Sequence, residues 1–100
     1  MTVLTLDSYI IDSLMADLVG HDRQPSAFLI YLLLWRLTSG TGGSKVQIPL
    51  QDLAERSGLS KRAVQQAVAR LAKRGLIDVR RDSVTAVAMY TVLRPWRRHG

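Results

Sequence analysis

Apolar residues recur at helical spacing in four stretches of this chain and crowd into short strand-like runs in three. Tyr9, Ile10, Leu14 and Leu18 form the first stripe, which ends near Gly20. Asp7 is placed to cap that helix, with Leu6 and Ile11 set as a hydrophobic staple. A second helix is predicted from Pro25 to about Thr38, and from Ala27 to Trp35 it is apolar almost all round. A helix buried on one side shows polar residues at intervals, so this one must be covered on several sides. The cover is either the rest of the same chain or a second subunit. Tyr9, Ile11, Met15, Phe28, Tyr31 and Trp35 exceed the obvious needs of one small core.

The third stripe, Leu50, Leu53 and Ala54, stops at Gly58, where a left-handed residue turns the chain at little steric cost. Ser60 is a preferred N-cap for the fourth, and Leu59 before it can staple against Val64. That helix runs from Lys61 to about Arg74. Val64, Ala67, Val68 and Leu71 fall on one side, and Lys61, Arg62, Gln65, Gln66, Ala69 and Arg70 on the other. One face packs, and the other offers cations and amides. Gly75 closes the helix, Leu76 to Arg81 reads as a strand, and Val84 to Leu93, rich in β-branched and aromatic residues, reads as its return. Lys45 to Ile48 is a further short strand.

On Ala54, Gly58, Leu59, Ser60, Val64, Val68, Leu71, Gly75, Leu76 and Ile77, the chain resembles the winged helix-turn-helix DNA-binding family. The resemblance is tight over the C-terminal half and rests on pattern alone in the N-terminal half. It implies a mainly α fold with a small antiparallel sheet (α+β), in the order α-α-β-α-α-β-β. The whole chain, 1–100, is expected to form one domain. Its N-terminal helices would span 1–39, a short strand and helix-turn-helix 45–74, the wing 76–93 and a basic tail 94–100. In such proteins the second helix of the pair enters the major groove and the wing lies along the flanking backbone or minor groove. Three features depart from the family. Ala63 stands where many relatives carry a threonine or serine near a phosphate, which removes one backbone contact. Pro49 stands where a serine or threonine often caps the first helix of the pair. The wing tip Arg81-Asp82-Ser83-Val84 has no glycine, which disfavours a tight primed turn and points to a looser loop.

Charge sharpens this picture. Residues 1–59 carry four Lys and Arg against six Asp and Glu, a net of −2, whereas residues 60–100 carry ten against two, a net of +8. Cations that merely solvate a surface would be spread more evenly. A field polarised in this way suits a polyanion bound through counterion release. The chain has 100 residues and 47% hydrophobic content, enough for a single core. It has no cysteine, which excludes disulfides and cysteine-based zinc sites and fits a reducing cytosol. No signal peptide is indicated at Met1 to Asp7. The longest apolar run, Ala27 to Trp35, has nine residues, where a bilayer needs about twenty. A cytoplasmic, nucleoid-associated protein is expected.

Chemistry beyond binding finds little support. Ser39-Gly-Thr-Gly-Gly-Ser-Lys45 has the wrong glycine spacing for a phosphate loop and leaves a helix rather than a strand. His21 and His99 are not at metal-ligand spacing, and neither is held as a catalytic base would be. No cofactor, metal site or enzymatic activity is expected.

On the winged-helix resemblance, Lys61, Arg62, Gln65 and Gln66 are the candidates for base readout, since arginine pairs with guanine and glutamine with adenine. For Lys61, contact with phosphate alone is nearly as good a reading. Arg70 and Lys73 are backbone candidates, and Arg74 is expected near the last carbonyls of its own helix. Arg80 and Arg81 flank the wing tip as backbone or minor-groove candidates, and Arg97 and Arg98 extend the basic tail. Trp96 is expected to pack back as an anchor, with free disorder or base contact as alternatives. The resemblance implies sequence-specific double-stranded DNA binding, with transcriptional regulation as the leading role and a homodimer through the N-terminal helices as a possible assembly. The DNA-binding domain of a plasmid or phage replication initiator and a protein-docking module are the alternatives. Docking versions tend to carry acidic or apolar residues where this chain has Lys61 to Arg70.

Overall fold

The computed structural model describes residues 1–39 and 44–97. Most of the glycine-rich connection, together with Arg98 and His99, lies outside the described residues. The elements run in the order π1 (Ile10–Leu14), π2 (Ala16–His21), α1 (Pro25–Ser39), β1 (Lys45–Gln47), α2 (Leu50–Ser57), α3 (Lys61–Lys73), β2 (Ile77–Arg80) and β3 (Met89–Val92). This is an α+β winged helix-turn-helix architecture, as the sequence pattern predicts.

Helix α1 is the centre of the packing. Ala27, Phe28, Ile30, Tyr31, Leu34, Trp35 and Thr38 are all buried along it. They meet residues of π2, α2, α3, β1 and β3, so the chain's own elements cover the nearly all-apolar helix. Leu29 alone among its large apolar residues stays well exposed, at 46%. Phe28, Tyr31 and Trp35 are thus absorbed by one core. Thr38 is buried too, and its hydroxyl donates back to the Leu34 and Trp35 carbonyls.

The first stripe differs from expectation in its winding. Met15 N–H donates to the Ile10 carbonyl and Asp22 N–H to that of Asp17, five residues back, so this stretch is π-helical rather than α-helical. Ile10, Leu14 and Leu18 are buried as the stripe requires. Seven residues make nearly two α-turns, and α-winding would bring Ile11 beneath Leu18. The wider π-turn instead carries Ile11 out to solvent, where it is 45% exposed. Leu6 packs against the core, whereas Ile11, its expected staple partner, is not part of that packing. Asp7 does not cap with its carboxylate either. Its backbone carbonyl accepts from Ile10 N–H, while the carboxylate is taken by the C-terminal tail.

Two left-handed glycines punctuate the helix-turn-helix. Gly58 has φ 78° and Gly75 φ 71°, a region in which a Cβ costs roughly 1–2 kcal/mol. Gly58 N–H caps the Ala54 carbonyl and ends α2. Past Gly75, Leu76 N–H reaches back to the Leu71 carbonyl and closes α3. Pro49 occupies the cap position of α2 with no side-chain cap, and its carbonyl accepts from Asp52 and Leu53. Val64, Ala67 and Leu71 of α3 are buried, so the α3 stripe faces α1 as read.

The sheet has the order β1-β3-β2, antiparallel throughout. Ile77 pairs with Val92 at the base of the β2–β3 hairpin and Arg80 with Met89 toward its tip. The return strand is shorter than its composition suggests. Residues 81–88 form a loop held by an Ala86 N–H to Ser83 carbonyl bond. Without a glycine at the tip the chain cannot close a two-residue primed turn, and Val84 is left 92% exposed.

Candidate nucleic-acid interface

The turn between α2 and α3 sets the exposed surface. Ser57 Oγ accepts from Leu59 N–H at 3.2 Å, and Ser60 Oγ accepts from Ala63 N–H at 3.1 Å. The second bond satisfies one of the open donors at the start of α3 and fixes the direction in which the helix leaves. With Val64, Ala67 and Leu71 turned inward, Lys61, Arg62, Gln65 and Gln66 all come out exposed. No acidic residue occurs anywhere in α3. Among the described residues Lys61, Arg62, Arg70 and Lys73 form no ion pair. Four donor-rich side chains therefore project from the first half of one rigid helix.

Other basic residues are placed differently. Arg70 is half-buried, and Lys73 is exposed in the last turn. Arg74 does not fold onto its own helix end. Its Nε and one terminal nitrogen donate to the two carboxylate oxygens of Asp22, each at 2.9 Å, joining the end of α3 to the end of π2. Those bonds, with a further one from His21, hold the Asp22 carboxyl down at about 2, and the pairing raises the Arg74 guanidinium in turn. Arg80 pairs with Asp78 on its own strand, and the Arg81 charge lies near the Tyr90 hydroxyl at the foot of the wing loop.

Arg97 lies beyond the base of the hairpin, away from the wing loop. It pairs with Asp7 through two of its nitrogens, and Trp96 Nε1 donates to the same carboxylate at 2.8 Å. The Arg97 bonds, then that of Trp96, lower the Asp7 carboxyl. Trp96 stacks on Tyr9 at 4.7 Å between ring centres. The tail is thus anchored on the N-terminal segment, as expected of Trp96. Asp7 and Asp22, the two carboxylates that organise this side of the molecule, were not read as partners of arginines. Each lies more than fifty residues from its arginine, and no local spacing links them.

Comparison with protein families agrees with this geometry. The helix-turn-helix domain family matches residues 24–77, more than half of the chain, and the chain belongs to that family. No curated protein and no solved structure matches it. The matched segment contains α1, β1 and the α2–α3 pair, ending where β2 begins. Helix-turn-helix domains bind DNA, with the second helix of the pair in the major groove. That is the function at its coarsest. Among the described residues no helix is long and apolar enough to cross a membrane, and no group of three or more His, Asp or Glu could hold a metal ion.

Proposed function

We propose that this chain binds double-stranded DNA sequence-specifically, with α3 in the major groove, and acts as a transcriptional regulator. The observation that carries the reading is the exposed face of α3, where Lys61, Arg62, Gln65 and Gln66 stand together, unpaired with acid, above a fully packed stripe. Arg62 suits guanine, and Gln65 and Gln66 suit adenine, while Lys61 sits at the helix start where a phosphate is the natural partner. Lys73, Arg70, Arg80 and Arg81 supply backbone contacts flanking these. Arg97 would reach a phosphate only by leaving Asp7, and Arg98 follows it in the tail.

A homodimer through the N-terminal helices is part of the same proposal. Ile11, Met15 and Val19 recur every fourth residue along π1 and π2 and are 45%, 40% and 39% exposed, an apolar line that a second copy would cover. Selection of bound duplexes from a random library at two salt concentrations tests both points. A consensus with inverted symmetry is expected. Direct repeats would favour an initiator over a regulator, and the absence of any enrichment would overturn base readout. Sedimentation that finds a monomer at micromolar concentration would count against the dimer.

A further inference from the structure

Where the two ends of the chain meet, a cavity of about 310 Å³ opens between the N-terminal segment and the tail. Trp35 forms its floor and donates its indole N–H to the Thr5 carbonyl at 2.9 Å, which pins the N-terminal segment over the cavity. Arg94 lies across the Trp35 ring, 4.4 Å from guanidinium carbon to ring centre. Asp7 and Arg97 complete the polar wall, and Val3 and Leu4 form an apolar rim.

The charges in this cavity do not cancel. Asp7 is committed to Arg97 by a two-point pair, so those two neutralise each other. Arg94 has no ion pair among the described residues, and its Nε is buried without any hydrogen-bond partner. A buried donor left unmatched is destabilising, the more so when the group is charged. The terminal nitrogens of Arg94 carry no hydrogen bond either and, unlike Nε, are not buried, so an acceptor with negative charge that enters the cavity can meet them. Guanidinium is suited to this by its planar fork of donors, which matches carboxylate and phosphate oxygens.

We infer that this cleft is a binding site for a small organic oxyanion, a carboxylate or phosphate ester carried on an apolar body, with Arg94 as the anion-binding residue. The volume lies at the lower end of the range for ligand sites, and the Val3–Leu4 rim provides contact for the apolar part. The anion does not come from the DNA backbone bound by α3. Arg94 follows β3 beyond Val92, which pairs with Ile77 at the base of the hairpin, the end opposite the wing loop. The site is therefore separate from the outer face of α3, and it stands whether or not α3 reads bases.

Both tryptophans of the chain, Trp35 and Trp96, belong to this cluster, their rings 6.4 Å apart, so intrinsic fluorescence reports on it directly. The test is a titration of the full chain, without DNA, with phenyl phosphate and with benzoate. A saturable change in tryptophan emission is expected with at least one of them. Arg94→Gln should weaken it about tenfold or more, as the loss of hydrogen bonds to a charged group implies, and Arg62→Ala should leave it unchanged. Benzyl alcohol, which has the apolar body without the charge, should bind more weakly than benzoate by a similar factor. In the unaltered chain, nuclear magnetic resonance should show ligand shifts at the Trp35 and Trp96 indole N–H groups and none along α3, a readout that does not depend on any variant folding. No saturable change with either anion, equal binding of benzyl alcohol, shifts confined to α3, or a response to duplex DNA alone would each overturn the assignment.

Discussion

The cluster where the termini meet and the outer face of α3 hold their arginines in opposite ways. In the terminal cluster Arg97 is tied to Asp7 and Arg94 lies on Trp35; at the far end of α3, Arg74 is likewise tied to Asp22. On the outer face of α3, Lys61 and Arg62 have no acidic neighbour within ion-pair reach among the described residues. The same residue type is paired with acid at Arg97 and Arg74 and unpaired on the outer face of α3. The difference teaches that a basic balance of sequence is not a map of basic surface. Part of the +8 in residues 60–100 is spent against carboxylates of the acidic N-terminal half. What remains for a polyanion is concentrated on α3 and the foot of the wing.

The sharpest way to break this comparison is to remove the centre of the terminal cluster. Trp35 is 3% exposed, hydrogen-bonded to Thr5 and covered by Arg94, so Trp35→Ala should cost about 3–5 kcal/mol of stability. Gln65→Ala, on the exposed face, should stay within about 0.5 kcal/mol. Urea denaturation of both variants makes the comparison, and similar losses would erase the distinction between the two regions.

The second test concerns binding. Arg62→Ala or Gln65→Ala should each reduce preference for the selected sequence by about 1–3 kcal/mol, whereas Arg81→Ala should weaken all duplexes alike. Competition of specific against random DNA reads this, and equal losses for all three variants would sink the base-readout assignment. With six to eight phosphates neutralised, affinity should also fall on the order of a thousandfold between about 50 and 200 mM salt.

Ser60→Ala removes the cap on α3 and should cost about 1 kcal/mol in thermal or urea unfolding. A larger loss of DNA affinity than of stability is expected, because Ser60 also sets the direction of the helix that carries Arg62. The smallest effect is acidic. The Asp22 carboxyl is lowered from its ordinary 3.8 to about 2 by Arg74 and His21, so the folded chain holds that proton less tightly than the unfolded one. Its contribution is present above about pH 4 and is lost as pH falls through about 2. Asp22→Asn should therefore flatten the stability profile in that window and leave DNA binding at neutral pH little changed. An unaltered acid profile in the variant would show that the Asp22–Arg74 pair contributes nothing.

The helix-turn-helix was legible because its signals are local. Gly58 and Gly75 need positive φ, Ser60 has a cap to make three residues on, and the spacing of Val64, Ala67 and Leu71 fixes which face of α3 is outward. The anchoring of Trp96 was also within reach, since a tryptophan in a short polar tail has much to gain from burial. The N-terminal stretch was less legible. Buried positions every fourth residue, as in Ile10, Leu14 and Leu18, drift slowly around an α-turn in one sense and around a π-turn in the other. The apolar pattern therefore does not distinguish the two windings, although they place Ile11 on opposite sides. The return strand is shorter than its composition suggests for a related reason: β-branched residues from Val84 onward favour extension, but only Met89 to Val92 find partners in β2, and only Met89 to Thr91 in β1 as well.

By itself the sequence determined the order of elements, the turn between α2 and α3, the inward stripe of α3 and hence its outward face, because each depends on residues within a few positions of one another. Only the tertiary structure decided which arginines are free. The pairs Asp7–Arg97 and Asp22–Arg74 join residues separated by more than fifty positions, and an arginine committed to a distant carboxylate no longer offers its charge to a ligand.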